Sequence, residues 1–277
     1  MSPVLQQLNE TVNFILKQYK VKPEVGIVLG SGLGKFASEI EIELEIPYSD
    51  IPNFPVSTVE GHQGKLIFGK MENRQVVAMA GRFHFYEGYS SDAVVFPIRV
   101  MKMLGIQLLL ISNAAGGVHP LFKVGDLMII RDHLSFAIVN PLIGKNIDEL
   151  GPRFPDMSEP YNQQLIQQGK RIATDLDIPV QEGIYFGVTG PTFETRAEYK
   201  MIRLLGGDAV GMSTVQEVIT AAHMSLPVFA ISIITDIGIR EEENRITHQE
   251  VLEAAAKAEP KLSAIFRGMI ASFTKDN

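Results

Sequence analysis

The most informative segment of this chain is residues 107–117, QLLLISNAAGG. Its apolar first half does not alternate with polar residues, which is typical of a strand buried on both faces of a sheet. The small residues that follow, from Asn113 to Gly117, predict a turn where that strand ends. Ligands of open α/β sheets bind beyond the carboxyl ends of strands, so we expect a site here. Tight packing of a helix on the sheet is the alternative reason for small side chains at this point.

Similar apolar runs alternate with segments of helical periodicity along the chain. The predicted strands are 25–29, 75–80, 107–112, 127–130, 184–188, 209–211 and 228–234. The predicted helices are 4–19, 93–104, 162–176, 195–205, 214–224 and 249–273. This order predicts an α/β fold with a mixed, largely parallel β-sheet flanked by helices. No repeat or linker divides the sequence, so we predict a single domain over residues 1–277.

The composition excludes several classes of protein. The 277 residues are 45% hydrophobic and include no cysteine, which argues against disorder, disulfides and zinc sites built on thiolates. The net charge of −7 argues against nucleic-acid binding. The sequence lacks the run of about 18 apolar residues that a membrane span requires, and its start lacks the basic and apolar pattern of a signal peptide. We therefore expect a cytoplasmic protein.

Another predicted strand end, GSGLG at 30–34, is a candidate anion site. Glycines let backbone N–H groups approach an anion closely, and Ser31 adds a hydroxyl donor. The segment is not a dinucleotide fingerprint, because Lys35 occupies the sixth position, and it is not a Walker loop, because Phe36 follows and the spacing differs. A dinucleotide-dependent oxidoreductase is therefore disfavoured. A plain strand-to-helix turn is the alternative interpretation.

The segment GRFHFY begins at Gly81, also after a predicted strand. An extended backbone would place Arg82, His84 and Tyr86 on one side, because alternate residues of a strand face the same way. The planar guanidinium of Arg82 suits phosphate oxygens, and His84 offers a second donor. An edge strand whose polar residues face outward is the alternative.

Ser213 stands between a predicted strand and a predicted helix. The N-terminal N–H groups of that helix would attract an anion. A simple N-cap role for Ser213 or Thr214 is the alternative, and the two roles are compatible. Thr214-x-x-Glu217 and Thr247-x-x-Glu250 both predict capping boxes.

The sequence lacks a complete nucleophile elbow, and its histidines are not paired at metal-ligand spacing, so we expect neither a serine hydrolase nor a metal site. The four strand ends are expected to meet in one cleft.

Taken in order, GSGLG, RFHFY, NAAGG and GPTFET resemble the motifs of the trimeric, low-molecular-mass purine nucleoside phosphorylases. The resemblance extends from the N-terminal helix to HQEV at 248–251. It implies a nucleoside phosphorylase-like fold and a transferase reaction of purine salvage, in which a purine nucleoside and phosphate give the free base and a pentose 1-phosphate. It implies no cofactor, because phosphate is a co-substrate, and it implies a homotrimer.

The resemblance also implies a role for each matched position. The implied phosphate ligands are Ser31, His62, Arg82, His84, Ala114 and Ser213. The implied nucleoside contacts are Tyr86, Tyr185, Phe193, Glu194, Val210, Met212, Asp236 and His248. His84, Glu194 and Asp236 are the implied catalytic residues. Glu194 would accept the N1–H of a 6-oxopurine, or it is an acid in the first turn of a helix. His248 would reach the 5′-hydroxyl, or it merely begins a helix.

Two positions depart from the family's pattern. Asp236 stands where the 6-oxopurine enzymes carry Asn, and an ionised Asp accepts hydrogen bonds but donates none. Inosine and guanosine are therefore favoured through Glu194, while adenosine is left open. Leu150 stands where the family places a Phe that reaches the neighbouring subunit's site.

A 5′-methylthioadenosine phosphorylase and a purine-binding sensor without turnover are the alternative functions. The charged run at 240–245 is either a solvated cluster or part of a closing loop.

Overall fold

The computed structural model describes residues 2–30, 33–56, 63–238 and 247–274, and every element named below lies in these ranges. The strands are β1 (Val25–Val28), β2 (Glu41–Pro47), β3 (Lys65–Met71), β4 (Arg74–Ala80), β5 (Leu108–Gly117), β6 (Leu127–Leu134), β7 (Val180–Gly187), β8 (Ala209–Gly211) and β9 (Val228–Ile237). The helices are α1 (Pro3–Gln18), α2 (Ser91–Leu104), α3 (Gln163–Asp175), α4 (Arg196–Leu204), α5 (Val215–His223) and α6 (His248–Ala271). Each predicted strand and helix overlaps one of these elements.

The strands form a mixed sheet in the order β2-β3-β4-β1-β5-β8-β7-β6-β9. Because β5 also pairs with β9, the strands β5, β8, β7, β6 and β9 close into a ring. Parallel pairing joins β1 to β4 and β5, β5 to β9, and β7 to β6 and β8. The predicted α/β fold with a mixed, largely parallel sheet is thus confirmed, and the closed ring is an addition that the sequence did not predict.

The central strand β5 continues through Gly117, so the turn predicted after residue 112 is wrong. Its first half pairs with β1 and β9, whereas Gly116 and Gly117 pair with β8 as well as β9. The strand can continue because β8 replaces β1 as its neighbour. Gly117 serves close packing between strands, because a Cβ on it would lie 2.9 Å from the side chains of Ile234 and Ile237.

The edge strands β2 and β3 were not predicted. They pair antiparallel with each other, and β3 pairs antiparallel with β4. Most residues of β2 are exposed, so it lacks the apolar run by which buried strands are recognised. In contrast, β5 and β9 are buried almost throughout and form the middle of the hydrophobic core.

Side-chain caps mark where most helices begin. Helices α1, α2 and α3 start after Ser2, Ser90 and Asn162, each of which accepts a backbone N–H. The capping box at α6 is confirmed: Thr247 Oγ1 accepts the Glu250 N–H at 3.3 Å, and Glu250 Oε2 accepts the Thr247 N–H at 3.1 Å. The box predicted at Thr214 is wrong, since that residue has a φ of 70° and makes no cap bond. Among the described residues, no helix combines the length and apolarity needed to cross a membrane.

Candidate active site

A cleft opens beyond β1 and β4, beside the last residues of β5, β8 and β9. Among the described residues, its wall includes Gly30, Arg82, His84, Tyr86, Asn113, Ala114, Ala115, Gly116, Phe193, Glu194, Val210, Gly211, Met212, Ser213, Thr235, Asp236, His248 and Val251. The lining combines apolar side chains with a few polar and charged groups, which is typical of a small-molecule site. Every described residue to which the resemblance assigned a role lines this cleft, except Tyr185.

The remaining positions singled out in the sequence lie elsewhere. Ser31, His62 and the run 240–245 fall outside the described residues. Tyr185, on β7, is fully buried, and its hydroxyl accepts the Ser213 N–H at 3.4 Å, so it stands behind the cleft wall. Leu150 is only 7% exposed and packs in the core rather than reaching outward.

One end of the cleft is built around Arg82, whose side chain is 1% exposed. One terminal nitrogen of its guanidinium donates to Ser213 Oγ at 2.9 Å and to Thr214 Oγ1 at 3.3 Å. Its Nε lies 3.3 Å from Oε1 of Glu217, which is equally buried on α5. A charge removed from water in this way requires a partner, and Glu217 provides it. The guanidinium is therefore held in one orientation beside the Ser213 hydroxyl.

The turn between β8 and α5 has an unusual backbone. Thr214 has φ 70° and ψ −52°, and the Val215 N–H donates to the Ser213 carbonyl at 2.7 Å. These angles and this bond define a γ-turn with a positive central φ, a rare and strained conformation. The Thr214 hydroxyl also accepts from Asn113 Nδ2 at 2.8 Å.

His84 is fixed by a carboxylate and an aromatic ring. Oε1 of Glu87 accepts the His84 backbone N–H at 2.8 Å and lies 3.1 Å from His84 Nδ1. The imidazole stacks on the Tyr86 ring with 4.7 Å between centroids and 16° between planes. The extended backbone predicted for the whole segment is wrong from Phe85 onward, where a 3₁₀ turn begins. Tyr86 nevertheless reaches the cleft, and burial raises its pKa to about 12.

The other end of the cleft carries two carboxylates. Burial raises the pKa of Glu194 above its usual value, the charge of Asp236 adds to the effect, and a hydrogen bond from Tyr199 opposes it. Asp236, on β9, is 7% exposed, and its Oδ1 accepts from Thr235 Oγ1 at 3.1 Å. Its Oδ2 lies 3.0 Å from the place that a Cβ on Gly116 would occupy, so a side chain at that position would crowd it.

Glu194 is not an acid of the first helical turn, which was the alternative interpretation of this residue. Thr195 is the N-cap of α4, so Glu194 precedes the helix. Glu198 takes the first-turn position and completes a capping box with Thr195. Glu194 is thereby left facing the cleft beside Phe193.

Sequence reasoning did not predict which polar side chains hold the cleft residues in place. They are Glu87, Asn113, Tyr199, Thr214, Glu217 and Thr235. Glu87 could have been found, because it follows His84 at the spacing of a capping box. The partner of Arg82, in contrast, is distant in sequence and gives no local signal. Within the described ranges, no group of three or more His, Asp or Glu side chains is arranged to hold a metal ion.

Comparisons with known proteins agree with this geometry. The sequence matches the family model of the Phosphorylase superfamily over residues 24–271. It is 49% identical to purine nucleoside phosphorylase 1 of Geobacillus stearothermophilus, over 97% of this chain and 98% of the relative. It is 45% identical to the purine nucleoside phosphorylase of Rattus norvegicus, over 93% of this chain and 91% of the relative. The solved structure of isoform 2 of purine nucleoside phosphorylase from Schistosoma mansoni, in complex with cytosine and ribose-1-phosphate, is 44% identical in sequence. Its TM-score is 0.93, and the match covers 98% of both chains.

Proposed function

Because the chain belongs to the purine nucleoside phosphorylases of the phosphorylase superfamily, we propose that its cleft binds phosphate at the Arg82 end and the purine at the Glu194 end. In the reaction, a phosphate oxygen bonds to the anomeric carbon of the sugar while the bond from that carbon to the base nitrogen breaks. Phosphate is the nucleophile, so the protein supplies position and charge rather than covalent chemistry. The reaction needs no cofactor.

The observation that carries this proposal is the polarity of the cleft. A buried guanidinium and the Ser213 hydroxyl lie at one end, 2.9 Å apart, and two carboxylates lie at the other. A rigid guanidinium in a desolvated setting binds a phosphate oxyanion strongly. His84 and the backbone at Ala114 line the same end. Ser31 and His62 complete the phosphate ligands that we propose.

Glu194 and Asp236 serve the departing base. As the bond to the sugar breaks, negative charge builds on the purine, and a carboxylate that accepts the N1–H of a 6-oxopurine fixes the base for that step. Phe193 and Val210 offer it apolar contact, and Asp236 faces its 6-position. We favour inosine and guanosine, with their deoxy forms, as substrates, and Asp236 leaves adenosine open.

The sugar lies between these two ends. Tyr86 and Met212 line the cleft, and His248 lines it from the start of α6. The phenol ring of Tyr86 covers an apolar sugar face, and its hydroxyl, whose pKa burial raises to about 12, offers a donor. His248 is the group that we assign to the 5′-hydroxyl.

A homotrimer is also part of the proposal. Phe136, Ile143 and Phe154 are 65%, 73% and 87% exposed, respectively. Large apolar side chains gathered on one loop region are typical of an interface between subunits. Leu150 is buried, so the exposed aromatic residues of this region are Phe136 and Phe154, and Phe154 is the more exposed of the two. A cytoplasmic location is supported by the composition of the chain.

The proposed reaction is tested by measuring base release from inosine, guanosine and adenosine with and without phosphate. We expect release to depend on phosphate and to yield pentose 1-phosphate in equal amount. Release at the same rate in phosphate-free buffer, with free pentose as product, would show a hydrolase instead.

The phosphate end is tested by Arg82→Lys, which keeps the charge but removes the planar pair of donors. We expect kcat/KM for phosphate to fall about 10- to 150-fold, as for the loss of a charge-assisted hydrogen bond. Arg267→Lys is the matched control, because Arg267 is an exposed residue whose ion pairs lie on the surface. Equal kinetics for the two variants would contradict the assignment of Arg82.

A further inference from the structure

The strained turn at Thr214 lies directly after Ser213, which lines the proposed phosphate end. Positive φ is unusual for any residue but glycine and is an outlier for a β-branched one. Here φ is 70° at a threonine that is 1% exposed, directly after Ser213 and directly before α5. Strained backbone persists only where its surroundings hold it, and such residues cluster at functional sites.

Two distant elements hold this turn through one hydroxyl. Thr214 Oγ1 accepts from Asn113 Nδ2 at 2.8 Å, and Asn113 belongs to β5 and is 1% exposed. The same oxygen accepts from Arg82 at 3.3 Å, and Arg82 follows β4. Glycine would adopt this backbone without strain but has no hydroxyl. The presence of threonine therefore indicates that the hydroxyl is what the position requires.

The turn determines where Ser213 stands. Its carbonyl accepts the Val215 N–H at 2.7 Å, and its hydroxyl lies 2.9 Å from Arg82 and 3.2 Å from Thr214 Oγ1. An ordinary N-cap has an extended backbone and directs its side chain back to the helix. The γ-turn directs the Thr214 hydroxyl toward Asn113 instead and leaves the Ser213 hydroxyl beside the guanidinium.

We propose that Asn113 and Thr214 form a positioning pair that holds the strained turn and so fixes Ser213 and Arg82 in place before phosphate binds. This inference rests on the proposed function of the cleft. Donors that are fixed in advance need no rearrangement when the oxyanion arrives, so the pair acts on phosphate rather than on the nucleoside. Neither residue needs to touch the substrates for this effect.

The test compares four variants: Thr214→Val, Thr214→Gly, Thr214→Ser and Asn113→Ala. Valine keeps the size and branching but removes the hydroxyl, glycine also relieves the strain, and serine keeps the hydroxyl. We expect the KM for phosphate, at saturating inosine, to rise about tenfold in Thr214→Val, Thr214→Gly and Asn113→Ala, as for the loss of one hydrogen bond. Thr214→Ser should stay within about threefold of the unsubstituted enzyme, and the KM for inosine at saturating phosphate should change little in all four.

A double-mutant cycle adds a readout that general destabilisation would not give. Asn113→Ala combined with Thr214→Val should raise the KM for phosphate no further than the larger single change, because both remove the same bond. Thr220→Val is the matched control, since Thr220 is also fully buried and its hydroxyl has no partner among the described residues. It should leave both KM values unchanged.

Three results would overturn the pairing. The first is a KM for phosphate in Asn113→Ala within twofold of the unsubstituted enzyme. The second is a Thr214→Gly enzyme with unchanged phosphate kinetics, which would show that the backbone alone suffices. The third is a double variant in which the effects of Asn113→Ala and Thr214→Val on the KM for phosphate add up. If Thr214→Val does not fold, as judged by its Tm, the glycine and alanine variants decide. Phosphate dependence of the unsubstituted enzyme is measured alongside, so failure of the proposed function is seen separately.

Discussion

In the proposed site, we expect the choice of base to depend on one carboxylate, Asp236. The 6-substituent of a 6-oxopurine accepts hydrogen bonds, whereas the 6-amino group of adenine donates them. Asp236 is 7% exposed and accepts from Thr235, so as an anion it offers only acceptor oxygens to a base. An amide at this position would offer a donor for O6 of a 6-oxopurine and an acceptor for N7 once the departing base has taken up a proton there.

Asp236→Asn is therefore expected to raise the kcat/KM ratio of inosine to adenosine by about tenfold, the worth of one well-placed hydrogen bond. The two substrates are assayed with the same enzyme preparation at saturating phosphate, so that losses of folded protein cancel in the ratio. An unchanged ratio would mean that position 236 does not contact the 6-substituent.

Glu194 gives a prediction about pH. Because burial raises its pKa, Glu194 takes up a proton at a higher pH than an exposed glutamate does as the solution is acidified. The protonated carboxyl cannot accept the N1–H of the base as well, so kcat/KM for inosine should fall on the acid side through this raised pKa.

Tyr199→Phe sharpens that prediction. The hydrogen bond from Tyr199 lowers the pKa of Glu194, so its removal should move the acid limb of the profile to higher pH. Glu194→Gln, which has no proton to gain in this range, should abolish the limb while lowering kcat/KM. An acid limb at the same pH in Tyr199→Phe would show that another group is being titrated.

Secondary-structure elements were predictable where a local pattern was strong. The buried strands β1, β5 and β9 carry apolar runs, and Thr247 begins α6 as its capping box predicts. The prediction failed at β2, where acidic residues interrupt the pattern. It also failed at the end of β5, where the arrival of β8 as a new neighbour is a tertiary event. At Thr214 the predicted capping box does not form. The Thr214 hydroxyl instead accepts a hydrogen bond from Asn113, a residue that is distant in sequence.

The same limit applies to the site. The residues that the resemblance assigned to the site stand in recognisable motifs. Every described one of them except Tyr185 lines the cleft. The residues behind them, such as Glu217 and Tyr199, belong to helices α5 and α4 and meet their partners only after the helices pack. Periodicity predicts which face of a helix is buried but not which polar atom that face brings to a partner.

Helix α6 is joined to the segment after β1 by one buried carboxylate. Glu259 is 2% exposed, and its Oε1 accepts the Phe36 N–H at 3.0 Å. Burial raises its pKa above 4.5, and the hydrogen bonds from the backbone oppose this. A carboxyl with a raised pKa contributes most to folding when it is protonated, and that contribution is lost as the pH rises through the folded-state value.

Glu259→Gln and Glu259→Ala separate the cost of burying the Glu259 charge from the contribution of its hydrogen bond with the Phe36 N–H. The amide keeps an acceptor for Phe36 without a charge, so Tm at pH 7 should be equal to or higher than that of the unsubstituted protein, and the difference should shrink toward pH 4.5. Alanine leaves the Phe36 N–H without its acceptor and should lower stability by about 1–3 kcal/mol. Thermal unfolding at several pH values measures both, and a glutamine variant less stable than the alanine variant would refute this account of the contact.

The protein as a whole leaves an apolar surface that one chain does not cover. Its residues Phe136, Ile143 and Phe154 lie between β6 and α3, in a long connection that contains none of the helices and strands described here. A closed assembly of identical subunits would bury such a surface in each copy, because rotational symmetry presents the same residues at every interface.

Light scattering during gel filtration is expected to give about three times the chain mass of 30.6 kDa, in keeping with closed assemblies of identical subunits. Phe154→Asp would place a charge in the proposed interface and should shift the mass toward that of one chain, since an unpaired charge resists burial. Leu204→Asp is the matched control, because Leu204 is 86% exposed on α4, outside this loop region, and its change should leave the mass as it was. A Phe154→Asp protein of unchanged mass would place the interface elsewhere, and a single-chain mass for the unsubstituted protein would exclude the trimer. Loss of activity in parallel with dissociation would further indicate that each cleft depends on its neighbour.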